Sequence, residues 1–236
     1  MSDHRKSFVA VGILCVVCSL LITAASNGLR GYQLRNMNLD RQKNLLRSVG
    51  LIDDQRKYLA DEIESLYRNN IRSFYVDSDG RIIEVSGQTA GRLPIYLYMH
   101  EDEIIAYIVP IDARGLWGRI NGYLAIDSDG TTITGFTVYK HQETPGLGGE
   151  IERRWFQKNF EGKKIVDQEG SFVSVGIARG LVEDRVPEER QIHYVDGISG
   201  ATLTGRYLEA SLKDILMEYE PVSVRFRKQM PLEPVD

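Results

Sequence analysis

Asp196-Gly197-Ile198-Ser199-Gly200-Ala201-Thr202 runs into a segment where Tyr207, Leu208, Leu212, Ile215, Leu216 and Tyr219 recur at helical spacing until Pro221. That recurrence predicts one long amphipathic helix whose apolar stripe must lie on another layer. Gly197 and Gly200 loosen the approach to it, and the chain delivers a threonine hydroxyl at the helix start. A helix N-terminus offers unpaired N–H groups and the positive end of the peptide dipoles, so a phosphate esterified to that hydroxyl finds donors without a lysine. The alternative is an ordinary turn with Ser199, Thr202 or Thr204 as the N-cap. None of the three is followed at the third position by Glu or Gln, so a capping box is absent.

Outward from this point, strands dominate. Ser73–Val76 and Ile82–Val85 flank Asp77-Ser78-Asp79-Gly80, and Tyr123–Ile126 and Ile133–Tyr139 flank Asp127-Ser128-Asp129-Gly130. Both read as hairpins. The repeated D-S-D-G resembles the start of a calcium loop, but Arg81 and Thr131 occupy the fifth position and Ala90 and Gly122 lie near no consistent bidentate glutamate, so turn chemistry is the better reading. Ile95–Tyr98 and Ile104–Val109 predict another strand pair, Ile151–Phe160 a helix with Trp155 and Phe156 facing the core, and Ser171–Ala178 a further strand. The sum is an α+β domain with a mainly antiparallel sheet and flanking helices.

At 236 residues and 42% hydrophobic content the chain has enough material for one sizeable domain plus an anchor. Its net charge of −4, without a basic stripe, argues against nucleic acid. Phe8–Ala25 carries no charge and, extended to Asn27, is close to the length that crosses a hydrocarbon layer. It reads as a transmembrane helix, with a cleaved signal peptide as the competing reading. Tyr32–Val49 and Asp53–Asn69 predict two helices separated around Gly50, a stalk between membrane and domain. The expected division is thus residues 1–7 as cytoplasmic N-terminus, 8–27 as span, 28–71 as stalk, 72–220 as domain and 221–236 as an extended tail.

Both cysteines, Cys15 and Cys18, fall inside the span, where they read as small apolar residues. The four histidines show no metal-ligand spacing, no G-x-S-x-G exists, and Gly146-Leu147-Gly148-Gly149 lacks the last glycine of a dinucleotide loop. No catalytic acid, base or metal site is expected.

The D-G-I-S-G-A-T string resembles the flavinylation motif that flavin transferases read in FMN-binding domains of bacterial redox pumps. His141-Gln142-Glu143-Thr144-Pro145-Gly146-Leu147-Gly148-Gly149-Glu150-Ile151, with Gly115-Leu116-Trp117 and Gly122-Tyr123-Leu124-Ala125, is similar to the signature of the NqrC family, the C-subunits of the sodium-translocating NADH:quinone oxidoreductases. The nearest alternative, the G-subunit of the Rnf ferredoxin:NAD oxidoreductases, shares the flavin motif but lacks the Gly-Leu-Trp segment. A cofactor-free membrane scaffold is the alternative from another class.

The resemblance implies FMN held by a phosphoester on Thr202, with Ser199, Gly200, Ala201, Leu203 and Thr204 around it and Asp196 and Gly197 read by the transferase. Thr144, Gly146, Leu147 and Gly148 are expected to fold over the isoalloxazine ring, Leu147 as an apolar contact. Glu143 is expected to hydrogen-bond locally. The implied role is electron relay from NADH toward quinone, coupled to sodium export, beside the other subunits of a complex in the bacterial inner membrane. The resemblance also implies a periplasmic domain, whereas the basic residues Arg30, Arg35, Arg41, Lys43 and Arg47 after the span would by charge counting hold it in the cytoplasm.

Overall fold

The computed structural model describes residues 3–53, 55–83 and 91–232. It divides into two compact units, Met1–Asp40 and Arg41–Asp236. Residues 3–40 of the first belong to helix α1, which spans Asp3–Ser48. Side chains from Phe8 to Ile22 are exposed, and the helix is long and apolar enough to cross a membrane. The separate helix expected from Tyr32 is instead part of α1. Gly28 and Gly31 sit on open helix surface, where each costs about 1 kcal/mol against alanine and does not force a break. The chain does turn at Gly50, which adopts a left-handed φ of 72°.

The second helix, α2, covers Ala60–Asn70 and begins later than the sequence predicts. Asp53 diverts the backbone first, its carboxylate accepting the Gln55 N–H at 3.1 Å, and Glu62 then accepts the Leu59 N–H at 2.9 Å to open the helix. Residues 41–70, expected in the stalk, lie in the domain unit, and Leu45, Leu46 and Ile63 are buried there.

A six-stranded antiparallel sheet forms the centre, in the order β2-β1-β3-β4-β5-β6. The strands are β1 (Ile71–Val76), β2 (Ile82–Ile83), β3 (Leu93–His100), β4 (Glu103–Arg114), β5 (Arg119–Asp127) and β6 (Ile133–Lys140). Glu84, Val85 and Ala90 lie outside the described residues. Strand alternation divides β4 cleanly: Tyr107, Val109, Ile111 and Ala113 join the main core, and Ala106 and Ile108 are buried on the opposite face. The main core is closed by α5 (Thr202–Glu218), whose Leu208, Leu212 and Leu216 are fully buried. Each contributes roughly 1.5–3 kcal/mol by leaving water. The C-terminal end of α1 lies along β6 on the other face, where the Thr137 hydroxyl donates to the Asn44 carbonyl at 3.1 Å.

Between β6 and α5 the chain is mostly irregular. A 3₁₀ turn over Gly148–Glu152 leads to the short α3 (Arg154–Lys158), in place of the longer helix expected. Phe156 is buried, whereas Trp155 is 47% exposed. Adjacent helical residues point about 100° apart, so the two cannot both face one core. The strand expected over Ser171–Ala178 is reduced to β7 (Gly176–Ile177), because Ser174 takes a φ of 67° that ends extended geometry. After α4 (Val182–Arg185), β7 pairs in parallel with β8 (Tyr194–Val195), directly before the Asp196–Thr202 turn.

The tail is the largest correction. Glu220–Arg227 forms α6, with Pro221 in the first turn, where its missing N–H has no ladder bond to lose. Val222 and Ser223 are buried, Ser223 meets the Tyr107 hydroxyl at 2.6 Å, and Phe226 stacks on the Tyr107 ring. Burial pushes the Tyr107 phenol well above its ordinary pKa. Residues 233–236 lie outside the described residues. The two D-S-D-G turns are the seat of this helix: Arg225 donates to the Asp79 carbonyl and Arg227 to the Gly130 carbonyl, each at 3.0 Å.

Candidate functional site

The Asp196–Thr202 turn is pinned at its start. Gly197 donates to the Gly180 carbonyl at 2.8 Å, and a Cβ on Gly197 would lie 2.0 Å from the Ala178 oxygen, so only glycine fits. Asp196 accepts the Val182 N–H at 2.7 Å and thereby holds the entry to α4. Its carboxylate oxygen Oδ1 is thereby committed to that backbone.

The end of the turn is open. Gly200 takes a φ of 74°, the left-handed geometry glycine adopts at no cost, and Ser199, Gly200, Thr202 and Leu203 are exposed. Helix α5 starts at Thr202 with Ala201 as its N-cap, and no side chain caps it. The first ladder bond runs from the Gly205 N–H to the Ala201 carbonyl, so the N–H groups of Thr202, Leu203 and Thr204 stand ahead of the ladder. Neither Ser199 nor Thr202 acts as the cap, and the Thr204 hydroxyl donates instead to Glu143 Oε2 at 2.6 Å. An uncapped helix N-terminus beside an exposed hydroxyl can hold an anion such as a phosphate.

Two other loops converge here. In Thr144–Gly148 the Leu147 and Gly149 N–H groups both donate to the Thr144 carbonyl, folding the loop so that Leu147 lies over Gly200. The β4–β5 turn places Leu116 and Trp117 opposite, closed by the Gly115 N–H to the Gly118 carbonyl at 2.7 Å. Trp117 is 67% exposed, Leu147 43% and Leu203 46%. These apolar groups surround a cleft of about 330 Å³ that also takes in Thr144, Gly148, Gly200, Ala201, Thr202 and Thr204. Its walls suit one planar, largely apolar ring.

A second cleft of about 940 Å³ shares Gly200–Thr202 with the first. Its floor carries Ile177, Ile198 and Tyr194, and its rim carries Arg179, Arg185 and Arg206. Glu209 lines it too. Desolvation raises the Glu209 pKa, opposed by a bond from the Ile177 backbone and by Arg179, Arg206 and Lys213. Thr202 therefore borders both clefts, one walled by Leu116, Trp117, Leu147 and Leu203 with Glu143 among them, the other lined by three arginines and Glu209.

Of the residues expected from sequence, Thr144, Leu147, Gly148, Gly200, Ala201, Thr202, Leu203 and Thr204 share the smaller cleft, and Gly197 and Ser199 line the larger. Gly146 lines neither, and with a φ of 72° it serves the loop's turn. Sequence reasoning missed Leu116 and Trp117 as walls, although their segment stood out as a signature; it missed Arg206, one helical turn after Thr202 on α5, and it missed Arg179 and Arg185, which no local pattern joins to Thr202.

Residues 115–217 match the FMN-binding domain family. The chain is 32% identical to the C-subunit of the Na(+)-translocating NADH-quinone reductase of Yersinia pestis, over 87% of this chain and 86% of that one. It is 31% identical to the protein of the same name from Vibrio campbellii, over 88% of each chain. Among solved structures, it is similar to the C-subunit of the Na(+)-translocating NADH-quinone reductase from Parabacteroides distasonis, with a TM-score of 0.70, 30% identity and coverage of 83% of this chain and 96% of that one. The fold is also that of Shewanella oneidensis NqrC, at a TM-score of 0.63, 23% identity and coverage of 80% and 97%. The chain belongs to the NqrC family, the C-subunits of the Na(+)-translocating NADH-quinone reductases, and its fold and FMN-binding domain are those of that family.

Proposed function

We propose that this chain carries FMN covalently, as a phosphoester on Thr202, and relays electrons within a sodium-exporting NADH:quinone reductase. The single observation that carries the reading is the first turn of α5, where an exposed hydroxyl and free N–H groups lie between the two clefts. The N–H groups of Thr202, Leu203 and Thr204 and the nearby arginines would hold the phosphate, and Trp117, Leu116 and Leu147 would border the ring. Bound there, FMN supplies electron uptake and release one electron at a time. The chain's own part is to fix the ring's position, to shield its apolar edge and to prevent loss of the cofactor by dilution, which a covalent bond does outright.

A flavin transferase would install the group, with Asp196 and Gly197 as part of the sequence it reads. Helix α1 anchors the chain as a single pass in the inner membrane, and the flavin domain faces the periplasm. Long domains translocate with little regard to flanking charge, which reconciles this side with the basic residues after the span. The Trp117 turn as a cleft wall favours the NqrC reading over the Rnf alternative, whose family lacks that segment.

The test is denaturing electrophoresis of the chain co-produced with a flavin transferase. Fluorescence in the wild-type band and none in Thr202→Val supports the ester, and fluorescence that survives the substitution places it elsewhere.

A further inference from the structure

Glu143 is 4% exposed, yet it sits in the wall of the smaller cleft and touches two segments far from it in sequence. Its Oε1 accepts the Trp117 N–H at 2.9 Å, and its Oε2 accepts the Thr204 hydroxyl at 2.6 Å. Its own N–H donates to His141 Nδ1 at 3.1 Å. The other nitrogen of His141 must then carry the proton, and it meets Glu152 Oε2 at 3.1 Å. Gly115 and Gly148 leave room for the carboxylate, since a Cβ on either would lie within 3 Å of its oxygens. Two distant segments of the chain thus meet the loop of Glu143 at one buried side chain. A buried carboxylate is tolerated only where hydrogen bonds replace water, so this linkage is an obligatory one.

We infer that Glu143 is a positioning residue: it locks the Trp117 turn to the first turn of α5, so that the walls of the flavin cleft and the Thr202 hydroxyl keep one mutual geometry before any flavin arrives. The inference rests on the flavin reading of Thr202 for its purpose, though the linkage itself belongs to the flavin-free chain. A carboxylate in the cleft wall also opposes electron uptake by a ring beside it.

Glu143→Ala and Glu143→Gln, compared with wild type, test this. In flavin-free protein, hydrogen exchange at the Trp117 amide should accelerate roughly tenfold or more in Glu143→Ala, while the β4–β5 amides stay protected. Gln should restore protection, because its amide oxygen still accepts from Trp117 and its NH₂ donates to a Thr204 hydroxyl turned to accept. In flavin-loaded protein, the midpoint potential should move positive in both variants, since both remove the carboxylate. A Trp117 amide that stays protected in Glu143→Ala, a glutamine that does not restore protection, or a potential unmoved in both would each overturn the assignment. If Glu143→Ala does not fold, the near-isosteric Glu143→Gln decides through its potential. If wild type takes up no flavin, the Thr202 reading fails, while the exchange data on flavin-free protein still decide the role of Glu143.

Discussion

The two D-S-D-G turns and the Ser199–Thr202 turn are all short, glycine-bearing and rich in small residues, and they end in opposite conditions. In the hairpin turns carboxylates are spent on the turn itself: Asp77 takes the Asp79 and Arg81 N–H groups, and Asp129 takes the Thr131 and Thr132 N–H groups and the Thr132 hydroxyl. Their glycines are then sealed by α6, with the Ser223 carbonyl 2.5 Å from where a Cβ on Gly130 would be. At Ser199–Thr202 the helix is uncapped and the hydroxyl is left on the surface. A polar turn that spends its hydrogen bonds on itself is architecture, and one that leaves them open beside apolar walls is a candidate site.

The sharpest way to break that contrast is Thr202→Val, which should abolish flavin attachment while leaving the melting temperature of flavin-free protein unchanged. Loss of fold together with flavin would make the turn structural after all. Next in size, Gly130→Val forces a side chain into left-handed geometry against α6 and should destabilise by at least roughly 1–3 kcal/mol, read by urea unfolding. Flavin loading of whatever remains folded should be normal.

Asp129→Ala is expected to cost about 1 kcal/mol through its lost hydrogen bonds. Burial opposes ionisation of Asp129, but the Thr132 hydroxyl and the Thr131 and Thr132 amides outweigh it and hold its pKa below the usual aspartate range. Its contribution to stability is therefore present above the unfolded-state pKa and is lost as pH falls through the lower folded-state value. Acid unfolding curves should show this loss in wild type and less of it in the variant. Smallest of all, Ser199→Ala should change stability by less than about 0.5 kcal/mol, because its hydroxyl caps nothing.

Much of this is legible in the chain itself. Hairpin patterning predicts the antiparallel sheet, and the spacing from Tyr207 to Tyr219 predicts α5, because burial on one face leaves a period in the sequence. The Pro221 segment reads as tail since proline stops a helix from within but suits its first turn, and only tertiary contact with Tyr107 tells the two apart. The Asp196–Thr202 turn announces a hydroxyl at a helix start. It does not announce Glu143, whose partners lie 26 and 61 residues away, nor Arg179 and Arg185, which folding alone brings to the cleft beside Thr202.

The most direct test of the account is peptide mass spectrometry on the chain taken from native membranes, read at the tryptic fragment Gln191–Arg206. The account predicts that fragment with FMN esterified to Thr202. An unmodified fragment in membranes that oxidise NADH in a sodium-dependent way, with the chain present in the complex, would contradict it.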